Sequence, residues 1–147
     1  MYRETFRSAH VLPREALAGR YDGPRVALTD IYYLLHGTLF SGFHQLRSDE
    51  IWHYHAGGTL LAHEIRPDGT YTRHALGFDA GEALRVTFPA GSWFAAELQH
   101  KAATDYALVS CVVAPGFEFS DFTLGQRAAL LKTFPQHSTV ITRLTRG

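Results

Sequence analysis

The chain has 147 residues, enough for one domain with its own core, and 46% of them are hydrophobic, which excludes a disordered polar segment. Lysine plus arginine equals aspartate plus glutamate at 14 each, so no basic field exists to hold nucleic acid or an anionic membrane. The single cysteine, Cys111, excludes an internal disulfide framework, and no run approaches the ~20 apolar residues of a membrane span.

The start, MYRETFRS, lacks the apolar core of a signal peptide, which makes the cytoplasm the expected location. Tyr2 to Ser8 alternates aromatic and polar residues and reads as a first strand. VLPREALAGRYDGPR is broken by Pro13, Gly19, Gly23 and Pro24, so it reads as loop with one helical turn. Ala27 to Leu35 is rich in β-formers, and residues 43 to 47 and 50 to 55 give two more strands. Pro67-Asp68-Gly69 is turn chemistry between two alternating runs, which predicts a hairpin of Leu60 to Arg66 with Tyr71 to Leu76. ALRVTF, SWFAAEL and YALVSCVVA complete the strands, and Cys111 in the last is expected to be a buried strand residue. Spacings of roughly 8 to 12 residues between runs suit an antiparallel sandwich or barrel. Leu124, Ala128, Leu131 and Phe134 recur at helical spacing, predicting a helix over Thr123 to Phe134 with Asp121 as cap and Pro135 as stop. The tail STVITRL reads as a last strand. Residues 1–147 are therefore expected to form one domain, a β-barrel with a C-terminal α-helix.

The densest chemistry lies in FHQLRSDEIWHYHAGG, Phe43 to Gly58, with three of the nine histidines. Strand alternation puts Glu50, Trp52 and Tyr54 on one face and His53 and His55 on the other. Further along, APGFEFSDF has the look of a segment crossing a barrel mouth. Arg3 in YRET could grip an anionic ligand group in a bidentate way.

Several stretches resemble the cupin-5 family of the cupin superfamily. They are YRETFRS, LTDIYYLL, SDEIWHYHAG, FPAGSWFAAEL, VAPGFEFSDFTL and LLKTFP, in that order, and together they span nearly the whole chain. The family's lead-in with a Gly-Gly pair is not in this sequence, which starts at Met1-Tyr2. The resemblance implies an all-β double-stranded β-helix of the jelly-roll type, usually paired as a homodimer, but no settled activity.

In metal-binding cupins the first motif supplies two histidines and a glutamate, and the second supplies another histidine. Laid on this chain, the pattern gives His44 and Glu50 as two donors, while Leu46 and Phe94 stand at the other two positions. Neither Leu nor Phe coordinates a metal, so no metal cofactor is expected; a His44–Glu50 pair alone would hold a divalent ion weakly. The resemblance instead implies a metal-free pocket for a small molecule, lined by His44, Glu50, Trp52, Tyr54, Phe94 and one of Tyr32 or Tyr33, with Arg3 at its mouth. Glu50 beside His44 is expected to keep the imidazole partly protonated. By analogy with metal-free sugar epimerases, His44 would remove a proton and Tyr54 or Tyr33 would return one. Two readings stand: an isomerase or epimerase for a sugar-derived or carbonyl-bearing metabolite, and a non-catalytic binder or sensor. A metal-dependent enzyme comes third.

Overall fold

A computed structural model describes all of residues 1–147. Twelve strands follow in chain order: β1 (Tyr2–Arg7), β2 (Val11–Leu12), β3 (Arg25–Val26), β4 (Thr29–His36), β5 (Phe40–Leu46), β6 (Asp49–Gly57), β7 (Leu60–Ile65), β8 (Tyr71–Leu76), β9 (Arg85–Phe88), β10 (Trp93–Leu98), β11 (Tyr106–Ala114) and β12 (Phe122–Leu124). Two short helices close the chain, α1 (Arg127–Thr133) and α2 (Ser138–Arg143). The long strands form two five-stranded antiparallel sheets, β1-β4-β11-β6-β9 and β12-β5-β10-β7-β8. From β4 to β12 successive strands alternate between the sheets, except for the β7–β8 hairpin within the second, which is the jelly-roll pattern.

Two cores result. Between the sheets, Trp52, Phe88, Phe94, Leu98 and Val109 pack with their neighbours. Phe88 and Phe94 stack there at 4.1 Å between ring centroids. On the outer face of the second sheet, Phe43, Ile65 and Ala95 meet Leu130, Phe134, Ile141 and Leu144 from the helices. Burying such a side chain contributes about 1.5–3 kcal/mol. The second sheet is thus covered on both faces, which is why five of the six residues of β10 are buried.

The hairpin at Pro67-Asp68-Gly69 forms as its turn chemistry predicts. Gly69 takes φ +86°, and Asp68 Oδ1 accepts a hydrogen bond from the Thr70 amide at 2.9 Å. The C-terminal expectations need correction. Phe122–Leu124 is a strand that pairs with Leu46, Gln45 and His44 of β5, so the helix starts only at Arg127. Sheet pairing has overridden the helical periodicity of that stretch. Asp121 caps nothing, because it is drawn into an ion pair with Arg25 (Oδ1 to Nη2, 2.6 Å). The tail is a helix and not a strand. Val140, Ile141 and Leu144 lie at helical spacing and bury together against the sheet.

Candidate functional site: a chamber inside the barrel

Strand alternation on β6 directs Glu50, Trp52 and Tyr54 into the barrel, where all three are buried. His53 and His55 face outward; His55 meets the Tyr32 ring edge-on at 5.6 Å. Between the sheets lies a cavity of about 420 Å³. Its inner wall carries Tyr33, His44, Leu46, Glu50, Trp52 and Cys111, and its outer parts carry Tyr2, Glu4, Arg7, Phe117, Phe119 and Arg146.

A bulge in β5 builds one wall. Residues Ser41 to His44 oppose only Ala96 to Phe94 on β10, so one extra residue is accommodated around Gly42 and Phe43. Strict alternation would put Ser41 and His44 on opposite faces. With the bulge, Ser41 pairs with inward Ala96 and His44 with inward Phe94, and both line the cavity.

His44 lies between two phenyl rings, Phe94 at 4.2 Å and Phe122 at 5.3 Å. Its Nδ1 is 2.8 Å from the carbonyl oxygen of Gly42. A carbonyl only accepts, so Nδ1 carries the proton and Nε2 keeps its lone pair. The side chain is partly open to the cavity, yet it sits deep enough that burial lowers its pKa to about 4. This corrects the expectation of a partly protonated imidazole. No hydrogen bond joins His44 to Glu50, and His44 is neutral near pH 7.

Glu50 Oε1 accepts a hydrogen bond from Trp52 Nε1 at 2.8 Å. Burial raises the Glu50 pKa to about 7, with the Trp52 and Cys111 hydrogen bonds pulling the other way. Burial and the neighbouring Glu50 push the Cys111 thiol well up, so it stays protonated and unreactive. Burial likewise raises the Tyr33 hydroxyl, partly offset by Ser41 and by the charge of Arg146.

Three expected site residues lie elsewhere. Tyr54 is inside the barrel but outside the cavity, its hydroxyl donating to the Gly57 carbonyl. Phe94 is fully buried behind His44 and forms no part of the cavity lining. Arg3 pairs in register with outward Tyr32, whereas Tyr2 pairs with inward Tyr33. Arg3 is therefore on the outside, and the mouth cations are Arg7 and Arg146. The sequence reading missed Ser41 because the bulge has no residue signature. It missed Arg146 because nothing in the tail's sequence says that it turns toward the barrel.

The segment APGFEFSDF does run along the mouth, with Phe117, Glu118, Phe119 and Phe122 on the cavity. Its anchor is Asp121, gripped by Arg25 at 2.6 and 2.7 Å, with both side chains buried. Arg7 is held between Glu4 (2.9 Å) and Glu118 (3.3 Å).

Metal-binding relatives of this fold need three or four converging donors. Leu46 and Phe94 provide none, and no group of three or more His, Cys, Asp or Glu side chains here could hold an ion. The residues present do not fit a tight metal centre. No helix is long and apolar enough to cross a membrane.

Fold and chamber together define a jelly-roll barrel of the cupin type. The family model described as "Cupin superfamily (DUF985)" matches residues 1–125, and the chain belongs to that family. A protein from Shewanella oneidensis is 37% identical, with a TM-score of 0.83 over 99% of this chain and 85% of that one. A hypothetical protein from Leishmania major is 35% identical, with a TM-score of 0.86 over 99% of this chain and 89% of that one. A cupin 2 domain-containing protein from Halorhodospira halophila shares the fold alone, at 11% identity and a TM-score of 0.62 over 100% of this chain and 83% of that one. Comparison with curated proteins finds no match.

Proposed function

We propose that the barrel cavity binds a small sugar-derived or carbonyl-bearing metabolite and moves a proton on it without a metal, as an isomerase or epimerase. What carries this reading is the pairing of a buried carboxyl of pKa about 7 with an imidazole that is neutral near pH 7 in one chamber. The electrostatics divide the work differently from the sequence expectation. An imidazole of pKa about 4 is a weak base at neutral pH, whereas a carboxyl near 7 is matched to it. Glu50 is accordingly the base and Tyr33 the acid; Tyr54 drops out because its hydroxyl is committed to Gly57.

The Glu50 carboxylate takes the proton from the carbon beside the carbonyl. The electron pair of that C–H bond moves to the carbonyl oxygen as an enolate. The Tyr33 hydroxyl returns a proton to the opposite face, and solvent at the mouth resets both groups. His44 Nε2 accepts a hydrogen bond from a ligand hydroxyl and orients it. Incubation with a metabolite mixture in deuterated water tests the reading. Deuterium should enter one substrate at the exchanged carbon, and Glu50→Gln should stop this while binding persists. Ligand-dependent shifts of melting temperature without any exchange would make the chain a binder instead. Elemental analysis finding near one equivalent of iron, manganese or zinc, lost on mutating His44 and Glu50, would sink the metal-free mechanism.

The same family reading carries a homodimer. It is supported by the outer face of the first sheet, where Asp30 Oδ1 is buried without a partner and Phe6, its register neighbour, is exposed. Sedimentation equilibrium should give a dimer at micromolar concentration; monomer alone would count against it.

A further inference from the structure

The cavity has two arginines on its wall, and their circumstances differ. Arg7 is neutralised by Glu4 and Glu118. Arg146 lines the same cavity, forms no ion pair and donates no hydrogen bond to the protein. Its charge reaches the Tyr33 hydroxyl deep in the chamber. The backbone leading to it is fixed. The Leu144 carbonyl accepts from the Phe43 amide at 2.9 Å. Thr145 Oγ1 donates to the Ile141 carbonyl at 2.6 Å and accepts from Arg127 Nε at 2.9 Å, while Arg127 Nη2 donates to the Thr145 carbonyl. Arg146 is exposed at the mouth, so water solvates its guanidinium and leaves it free to take a planar bidentate anion, its preferred partner. The surrounding surface is aromatic, with Phe117, Phe119 and Tyr2 on the same chamber.

We infer that Arg146 is the anion-recognition residue of the chamber, and that the ligand carries a carboxylate or phosphate group held by Arg146 at the mouth while its body lies along the aromatic wall. This inference rests on the cavity being the ligand site, as proposed above, but not on any turnover there. It places the anionic group at the mouth, with the rest of the ligand directed toward His44 and Glu50.

Calorimetric titration of the full chain with benzoate, phenyl phosphate and benzyl alcohol tests it. Benzoate and phenyl phosphate supply the two forms of the anion, and benzyl alcohol supplies the ring without charge. At least one anion should bind saturably. Arg146→Ala should weaken it by about tenfold or more, Arg146→Lys should retain part, and Arg85→Ala on the outer face should change nothing. Whichever anion binds more tightly identifies the group. Equal binding of benzyl alcohol, indifference of the anions to Arg146→Ala, or no saturable anion binding would overturn the inference. Titration reads binding alone, so absent deuterium exchange would remove the catalytic reading and leave this one standing. Active exchange with anion binding indifferent to Arg146→Ala would do the reverse.

Discussion

Glu50 is a carboxyl whose surroundings favour its neutral form. Its pKa in the folded chain is about 7 against an ordinary 4.5. The folded state therefore holds its proton over a range where the unfolded state has lost it. Stability from this group is fully present below pH 4.5 and is lost as pH rises through 7. Glutamine at this position still accepts from Trp52 Nε1 and never ionises. Chemical denaturation should show Glu50→Gln gaining on the wild type between pH 5 and pH 8, by roughly 3 kcal/mol at most. A gap that is the same at both pH values would show that Glu50 titrates normally. At His44 shape matters as well as charge. His44→Ala empties the slot between Phe94 and Phe122, so it should weaken ligand affinity and also cost about 2–4 kcal/mol of stability, read by urea denaturation.

Single elements set the chamber's outline. The mouth segment from Pro115 to Phe122 is pinned by the Arg25–Asp121 pair, which is buried and bidentate. Asp121→Ala leaves Arg25 its pair with Asp22 at 2.9 Å but removes both short bonds to the mouth segment, so it should destabilise the chain by about 1.5–3 kcal/mol in urea denaturation. A loss under 1 kcal/mol would mean that water reaches Arg25. Gly57 ends β6 at φ +106°, and a Cβ there would stand 2.1 Å from the Tyr106 carbonyl oxygen. Gly57→Ala should lower the melting temperature sharply and disturb the pairing of β6 with β11, visible as faster amide exchange along both strands. The sequence made most of the long strands and the 67–69 hairpin readable, because turn residues and period-2 patterning are local signals. Alternation put Glu50 and Trp52 on one face, and the resemblance to the cupin glutamate position turned that face inward. Strand β12 and helix α2 were not, since each is decided by what it packs on: β5 for Phe122–Leu124, and the outer face of the second sheet for Val140, Ile141 and Leu144. Arg3 was misplaced for want of one fact, the register that pairs it with Tyr32.

At the scale of the molecule, opposing titrations shape the stability curve. Burial holds His44 and His63 at about 4, below the ordinary 6.5. Both are neutral in the fold while the unfolded chain takes up protons, so their stability is present above pH 6.5 and is lost as pH falls through 4. Glu50 works in the opposite sense between 4.5 and 7. Two histidines outweigh one carboxyl across the shared range, so stability should rise from pH 4 and peak near pH 6.5. Denaturation midpoints measured from pH 4 to pH 8 check this, and Glu50→Gln should flatten the decline above the peak. A monotonic rise through pH 8 in the wild type would contradict it.

The bulge in β5 bears on how such a protein can change over generations. Point substitutions alter one side chain at a time, but removing a single residue at Gly42 or Phe43 would erase the extra residue that brings Ser41 and His44 to the same side. The ladder to β10 would close into regular pairing, with one half of the strand turned over relative to the other. A descendant carrying that deletion would keep most of its inter-strand hydrogen bonds. It would still be recognisable by its fold, yet its chamber would have lost either its imidazole or its hydroxyl wall. In this architecture, one codon's loss can separate shape from chemistry.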